Sequence, residues 1–306
     1  MSVSGSYDYT RTEQQIIRAA MRKIGQLATG ETPSSDDYEV CSEALNLLLK
    51  AWQNQGIGIW LNQECTLYLQ KDTIEYSLGP SGDHWTADPH KTETSAAAAS
   101  AATTIVVDSI TGMTDGDYIG IECDDGTLHW STIDTPATTT ITIDDALDDE
   151  VSVDAHVYFY TSKAQKPIEI LKDTIRKVDS DAHETPIQLI SASQYRAIND
   201  KTNEGPVNSV YYDNQLTNGK LYVWPEPDDV QEFLRMTIRR PISDVDSLAD
   251  NVEVPPEFLM ALIYNLAIHI APEFEVEASQ DVKDMAYDTL LEAKGFSREP
   301  ASVFIK

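Results

Sequence analysis

The sequence predicts an α+β protein in which an α-helical bundle and a mixed β region carry an inserted small all-β barrel or sandwich domain. Three observations predict it. Apolar residues recur at three- and four-residue steps near both ends of the chain, and short β-rich runs broken by turn residues fill the middle. Between them the composition shifts: residues 84–165 hold 15 Asp or Glu against 2 Lys or Arg and are dominated by Thr, Ser, Ala and Asp.

In Thr12 to Leu27 the residues Ile16, Ile17, Ala20, Met21, Ile24 and Leu27 form one apolar stripe, which predicts a first helix. Gly30 and Pro33 punctuate the chain. Ser34 or Ser35 then offers an N-cap, Asp36, Asp37 and Glu39 complement the positive helix end, and Val40, Ala44, Leu45, Leu48 and Trp52 line a second helix that Gly56 stops. The runs 64–70 and 73–78 read as a β-hairpin, closed by the turn-rich segment from Gly79. Five runs beginning at Thr104, Tyr118, Leu128, Thr139 and Val157 then predict the small antiparallel module, with the Ala-rich stretch 95–102 as a linker.

Beyond the insertion, runs at Ser209, Lys220 and Phe233 read as strands continuing the sheet begun at Glu64, after a short capped helix at 193–199. Pro255 and Pro256 stand at a helix start, and Phe258, Leu259, Leu262, Ile263, Leu266, Ala267 and Ile270 are apolar almost all round, which predicts a buried helix. A last amphipathic helix spans 276–293, with Gly295 as its C-cap. The organisation expected is a core of 1–83 and 166–296, an inserted acidic β domain at 84–165 and exposed at the periphery, and a tail at 297–306.

With 22 Lys and Arg against 51 Asp and Glu, the formal charge is -29. Such a field repels nucleic-acid phosphates and anionic lipid, so sequence-specific DNA binding and membrane attachment are not expected. No apolar run long enough to span a bilayer occurs, and the N-terminus has neither the basic nor the apolar region of a cleaved signal. Cys41, Cys65 and Cys123 are widely spaced and odd in number, which argues against a disulfide scaffold or structural zinc and fits synthesis in a reducing compartment.

Motifs that carry catalysis are missing: no G-x-S-x-G, P-loop, G-x-G-x-x-G or H-E-x-x-H is found. No two of the six histidines stand at i, i+4; His269, on the buried helix, reads as a core or interface residue. Asp124, Asp125, Asp144, Asp145, Asp148, Asp149 and Glu150 lack the calcium-loop register and read as turns and a solvated acidic face. Tyr211, Tyr212, Tyr222 and Trp224 read as cross-strand packing. The expectation is a structural protein without catalytic residues, metal or cofactor. The rival readings are an acid-rich peptidoglycan- or glycan-cleaving protein and a distal tail fibre-associated protein.

Three stretches carry a resemblance. They are Gly30-Glu-Thr-Pro-Ser-Ser-Asp-Asp with Ala44-Leu-Asn-Leu-Leu-Leu-Lys-Ala-Trp-Gln-Asn-Gln-Gly, then Gly219-Lys-Leu-Tyr-Val-Trp-Pro-Glu-Pro-Asp, then Tyr264-Asn-Leu-Ala-Ile-His-Ile-Ala-Pro-Glu-Phe. In that order they resemble the head-to-tail adaptor of short-tailed double-stranded-DNA bacteriophages, the tail accessory or head-completion factor beneath the portal. The resemblance covers about residues 10–83 and 166–296. It implies an adaptor-type α-helical bundle, made in the bacterial host cytoplasm and incorporated at the head-tail junction of the virion. It further implies a homo-oligomeric ring, generally of twelve copies, binding the portal protein and other tail components such as a nozzle, hub or fibres. DNA would be retained and ejected through an acidic channel without sequence-specific binding. By the same resemblance Leu45, Leu48, Trp52, Leu262, Leu266 and Ile270 would pack neighbouring subunits, and Val303, Phe304 and Ile305 would dock on the portal or tail.

Overall fold

A computed structural model of the protein describes residues 9–178 and 182–296. In chain order these form α1 (Glu13–Lys23), α2 (Ser35–Asn54), β1 (Asn62–Tyr68), β2 (Glu75–Leu78), β3 (Trp85–Thr86), β4 (His90–Glu93), β5 (Thr104–Val106), β6 (Tyr118–Glu122), β7 (Leu128–Ala137), β8 (Thr140–Ile143), β9 (His156–Tyr160), β10 (Glu169–Ile170), β11 (Arg176–Val178), β12 (Glu184–Pro186), β13 (Gln188–Leu189), α3 (Ala192–Arg196), β14 (Ser209–Asp213), β15 (Gly219–Trp224), β16 (Phe233–Arg239), α4 (Leu259–Ile270) and α5 (Gln280–Phe296). The chain divides into two compact units, Met1–Leu61 with Ile242–Lys306, and Asn62–Pro241.

The expectation of an adaptor-type α-helical bundle as the body of an α+β fold is corrected here. The described chain is mostly β, with sixteen strands in three sheets against five helices, the longest of 20 residues. The reason lies in element length. Helical periodicity is visible over a dozen or more residues, whereas strands of two to four residues, such as β3, β10 and β13, are too short for a two-residue alternation to register.

The first unit contains α1, α2, α4 and α5. Both N-terminal helices open with reciprocal caps: the Thr12 and Ser34 hydroxyls accept from the backbone of Gln15 and Asp37, whose side chains accept in return from the cap N–H groups. α1 stops at Lys23, short of the expected Leu27, because Gly25 turns the chain at φ +78°. α4 packs against α1, α2 and α5 and buries Leu259, Ala261, Leu262, Ile263, Leu266, Ala267 and Ile270. α5 runs through Gly295 rather than being capped by it. No described helix is long and apolar enough to cross a membrane.

In the second unit two sheets enclose one core. The first has the order β12-β11-β16-β1-β3, with β10 also on β16; the second has the order β13-β14-β15-β2. β15 and β16 alternate buried with half-buried residues, so Leu221, Val223, Leu234, Met236 and Ile238 all point into the shared core. The expected hairpin of residues 64–78 is also corrected. β1 pairs with β16 and β3, and β2 pairs with β15, so Gln70 to Thr73 carry the chain from one sheet to the other. Likewise β14 and β15 do not continue the sheet of β1; only β16 does.

The third sheet, β4-β9-β6-β7-β8-β5, is antiparallel throughout. A Thr94–Val107 bridge, with Ser95 N–H on Val106 O and Asp108 N–H on Glu93 O at 2.9 Å each, joins its last strand to its first. The ladder therefore closes into a barrel without free edges. Its interior holds Ile105, Val107, Ile119, Ile121, Ile133, Ile141, Ile143 and Val157. The Ala-rich stretch read as a linker belongs to it, since Ala98 bridges to Val151.

Candidate interaction surfaces

The six side chains expected to pack neighbouring subunits lie inside the helical unit. Leu45, Leu262, Leu266 and Ile270 have no exposed surface, and Leu48 and Trp52 are 3% and 4% exposed. Trp52 meets Phe258 edge-on at 6.3 Å. A side chain without accessible surface cannot touch another copy, so any subunit contact made by this unit falls to its exposed side chains. The expected docking residues Val303, Phe304 and Ile305 lie outside the described residues.

Polar residues of the first resembling stretch have work that the sequence did not disclose. Asn46 donates from Nδ2 to the Val245 carbonyl and accepts the Val245 N–H at Oδ1, both at 3.0 Å. One turn on, Lys50 donates to the Ile242 carbonyl at 2.8 Å and pairs with Asp244 at 2.6 Å. Gln53 Oε1 then accepts the Ile242 N–H at 2.8 Å. Spaced at i, i+4 and i+7, these three line one face of α2 and hold the segment 242–245 by its backbone. In the third stretch Asn265 Nδ2 reaches both the Ala261 carbonyl (2.8 Å) and the Ala286 carbonyl (3.2 Å), tying α4 to α5. In the second, Trp224 donates from Nε1 to the Asp200 carbonyl at 2.9 Å, and Tyr211 and Tyr222 are opposite one another in register, stacked at 5.6 Å.

A second cluster joins the barrel to the sheet of β1. Tyr68 and Phe233 face away from the two-sheet core, and Tyr158, Tyr160 and Leu128 of the barrel cover Tyr68. His84 stacks on Trp130 with centroids 3.7 Å apart and planes 6° apart, and its Nδ1 is hydrogen-bonded with the Tyr160 hydroxyl at 2.7 Å. Burial, helped by the nearby Lys163 ammonium, pulls the His84 imidazole down to about 3, so it is neutral in ordinary buffers.

The remaining chemistry-bearing groups are engaged locally. Asp124 accepts from the Ser152 N–H and hydroxyl at 3.0 Å each, and Asp125 from the Thr127 N–H (2.9 Å) and hydroxyl (2.7 Å), so these acids fix turns. His129 Nδ1 meets Asp148 at 2.7 Å. Cys41, Cys65 and Cys123 are buried and unpaired with one another; burial pushes the thiols of Cys41 and Cys65 up to about 12, away from a reactive thiolate. Among the described residues no three His, Cys, Asp or Glu side chains are grouped to hold a metal ion. His269, expected in the core or at an interface, is exposed on the rim of α4.

One concave surface of the helical unit stands out by its charge. A cavity of about 520 Å³ lies between α1 and α4, lined by Tyr9, Arg11, Arg22, Lys23, Met260 and Tyr264. Arg11 donates to the Tyr9 hydroxyl at 2.9 Å, and Lys23 donates to the Tyr264 hydroxyl at 3.0 Å while lying 4.6 Å from that ring centroid. Arg11, Arg18, Arg22 and Lys23 lie close together in the sequence, whereas Tyr264, which completes the lining, stands 241 positions beyond Lys23. No protein-family model and no curated protein matches the chain.

Proposed function

We propose that the protein is a structural component of a bacteriophage virion, a ring-forming adaptor that binds beneath the portal and connects capsid to tail. The observation that carries the reading is the meeting of two resembling stretches more than 200 residues apart. The helix that follows Gly30-Glu-Thr-Pro and the helix that ends in Ala271-Pro-Glu pack in one hydrophobic core, with Trp52 against Phe258 and the intervening chain clamped by Asn46, Lys50 and Gln53.

The charge of -29 suits the role. A channel lined by carboxylates repels DNA phosphates, so the duplex passes without adhering and without sequence readout. Twelve copies around that channel, with the 297–306 segment carrying Val303, Phe304 and Ile305 to the portal or the next tail component, complete the proposal.

The test is the mass of the purified protein alone and after mixing with portal rings, by native mass spectrometry or light scattering. A defined, ring-sized addition of many copies is expected. No association at any ratio would overturn the reading.

A further inference from the structure

The stretch 11–23 carries Arg11, Arg18, Arg22 and Lys23, and its single acid, Glu13, is 1% exposed. Each of three cations engages a neutral oxygen of the unit: Arg11 the Tyr9 hydroxyl, Lys23 the Tyr264 hydroxyl, and Arg18 the Glu31 carbonyl at 3.2 Å. Their positive charge is thus left uncompensated by these contacts, on a chain whose formal net charge is -29. Beside them Tyr9 and Met260 are 60% and 51% exposed, so the groove offers apolar contact as well as charge. A surface of this kind is matched by an element that presents carboxylates and apolar side chains together.

The same unit supplies one. α5 buries Val282, Ala286, Thr289 and Ala293. Its opposite face carries Asp281, Asp284, Asp288 and Glu292, all exposed, at helical steps of three and four residues. Between these acids stand Tyr287 and Leu291, 69% and 56% exposed. The acids extend over about 16 Å of helix axis at the ~1.5 Å rise per residue, and α1, of 11 residues, is about as long. Of the cations on α5, Lys283 is already paired with Glu277 at 2.9 Å.

We propose that the cationic groove of α1 and α4 receives the acidic outer face of α5 from a second copy of this chain, with Tyr287 and Leu291 entering against Met260 and Tyr264. Groove and helix face are unlike surfaces of one unit, so the contact is head to tail: repeated, it closes a ring or extends a filament. This deepens the ring reading and rests on it for the presence of more than one copy; it names the surfaces that meet.

The test uses the full chain, mixed as unlabelled and ¹⁵N-labelled protein at low salt and treated with a carbodiimide, which couples an amine directly to a carboxylate. Self-association measured by sedimentation accompanies it. Intermolecular links from Lys23 to Asp284, Asp288 or Glu292 are expected. Arg22→Glu and Asp288→Lys, both at exposed positions, should each weaken association by about tenfold or more, and the two together in one chain should restore it. Association that neither substitution weakens, or links that map elsewhere, would overturn this contact and leave ring formation standing. A protein that stays monomeric up to millimolar concentration would overturn it as well, whatever the portal-mixing experiment returns.

Discussion

Replacing His84 by Phe should remove one source of acid sensitivity from the β unit and reverse the order of stability of wild type and variant between pH 7 and pH 4. In the folded chain His84 is stacked on Trp130 and bonded to the Tyr160 hydroxyl, and burial brings its imidazole down to about 3 from an ordinary 6.5. The charge of Lys163 acts in the same direction. Because the folded value is depressed, the unfolded chain binds a proton that the folded chain refuses wherever the pH lies between those two values. The contribution of His84 is therefore complete above pH 6.5 and is lost as the pH falls toward 3, at about 1.4 kcal/mol per pH unit. From 6.5 to 4 the loss amounts to roughly 3.5 kcal/mol. Phenylalanine retains a ring against Trp130 and does not titrate, but it leaves the Tyr160 hydroxyl without its partner, which costs about 1–3 kcal/mol at any pH. The wild type should thus be the more stable protein at pH 7 and the variant equal or superior at pH 4. Urea denaturation followed by near-ultraviolet circular dichroism gives both values, and the acidic residues, common to both proteins, cancel in the difference. A difference that stays constant from pH 7 to 4, or an NMR titration placing His84 near 6.5, would refute the reasoning.

Gly120→Ala should destabilise the barrel by about 1–3 kcal/mol, because the added methyl would lie 2.7 Å from the Trp130 ring, which His84 backs at 3.7 Å; a thermal midpoint equal to wild type would count against that packing. Trp52→Ala removes a 4% exposed ring from the helical core and should cost about 3–5 kcal/mol, read as loss of the helical circular dichroism signal at lower urea. Deleting 297–306 should leave the folded unit intact while abolishing its joining to portal rings, and unimpaired joining would remove the docking role of Val303, Phe304 and Ile305.

The starts of α1 and α2 are written locally in the sequence because they are settled within four residues, whereas the last helix, expected from 276, begins at Gln280. Thr12 with Gln15, and Ser34 with Asp37, close their capping boxes without help from the rest of the chain. The strand runs of the acidic segment were legible for a similar reason, since Tyr118 to Glu122 and Thr140 to Ile143 are short apolar alternations flanked by turns. Pairing was not. Residues 64–78 look like a hairpin because neighbours in sequence usually pair, yet β1 and β2 each find a longer or better-buried partner in β16 and β15. Barrel closure through Thr94 and Val107 and the hold of Asn46 on Val245 join residues 13 and 199 positions apart, and no local pattern announces either.

What the sequence by itself determined is the apolar periodicity of the helices, the charge of -29, and the placing of four cations within residues 11–23. What only the tertiary structure decided is the use of each face. The free energy of removing Leu45 or Leu266 from water is the same whether the cover is the chain's own α4 and α5 or another subunit, so an apolar stripe alone cannot say which. Packing answers it: those stripes close on one another within the helical unit, and the groove of Arg22 and Tyr264 and the outer face of Asp288 and Leu291 are left open to solvent.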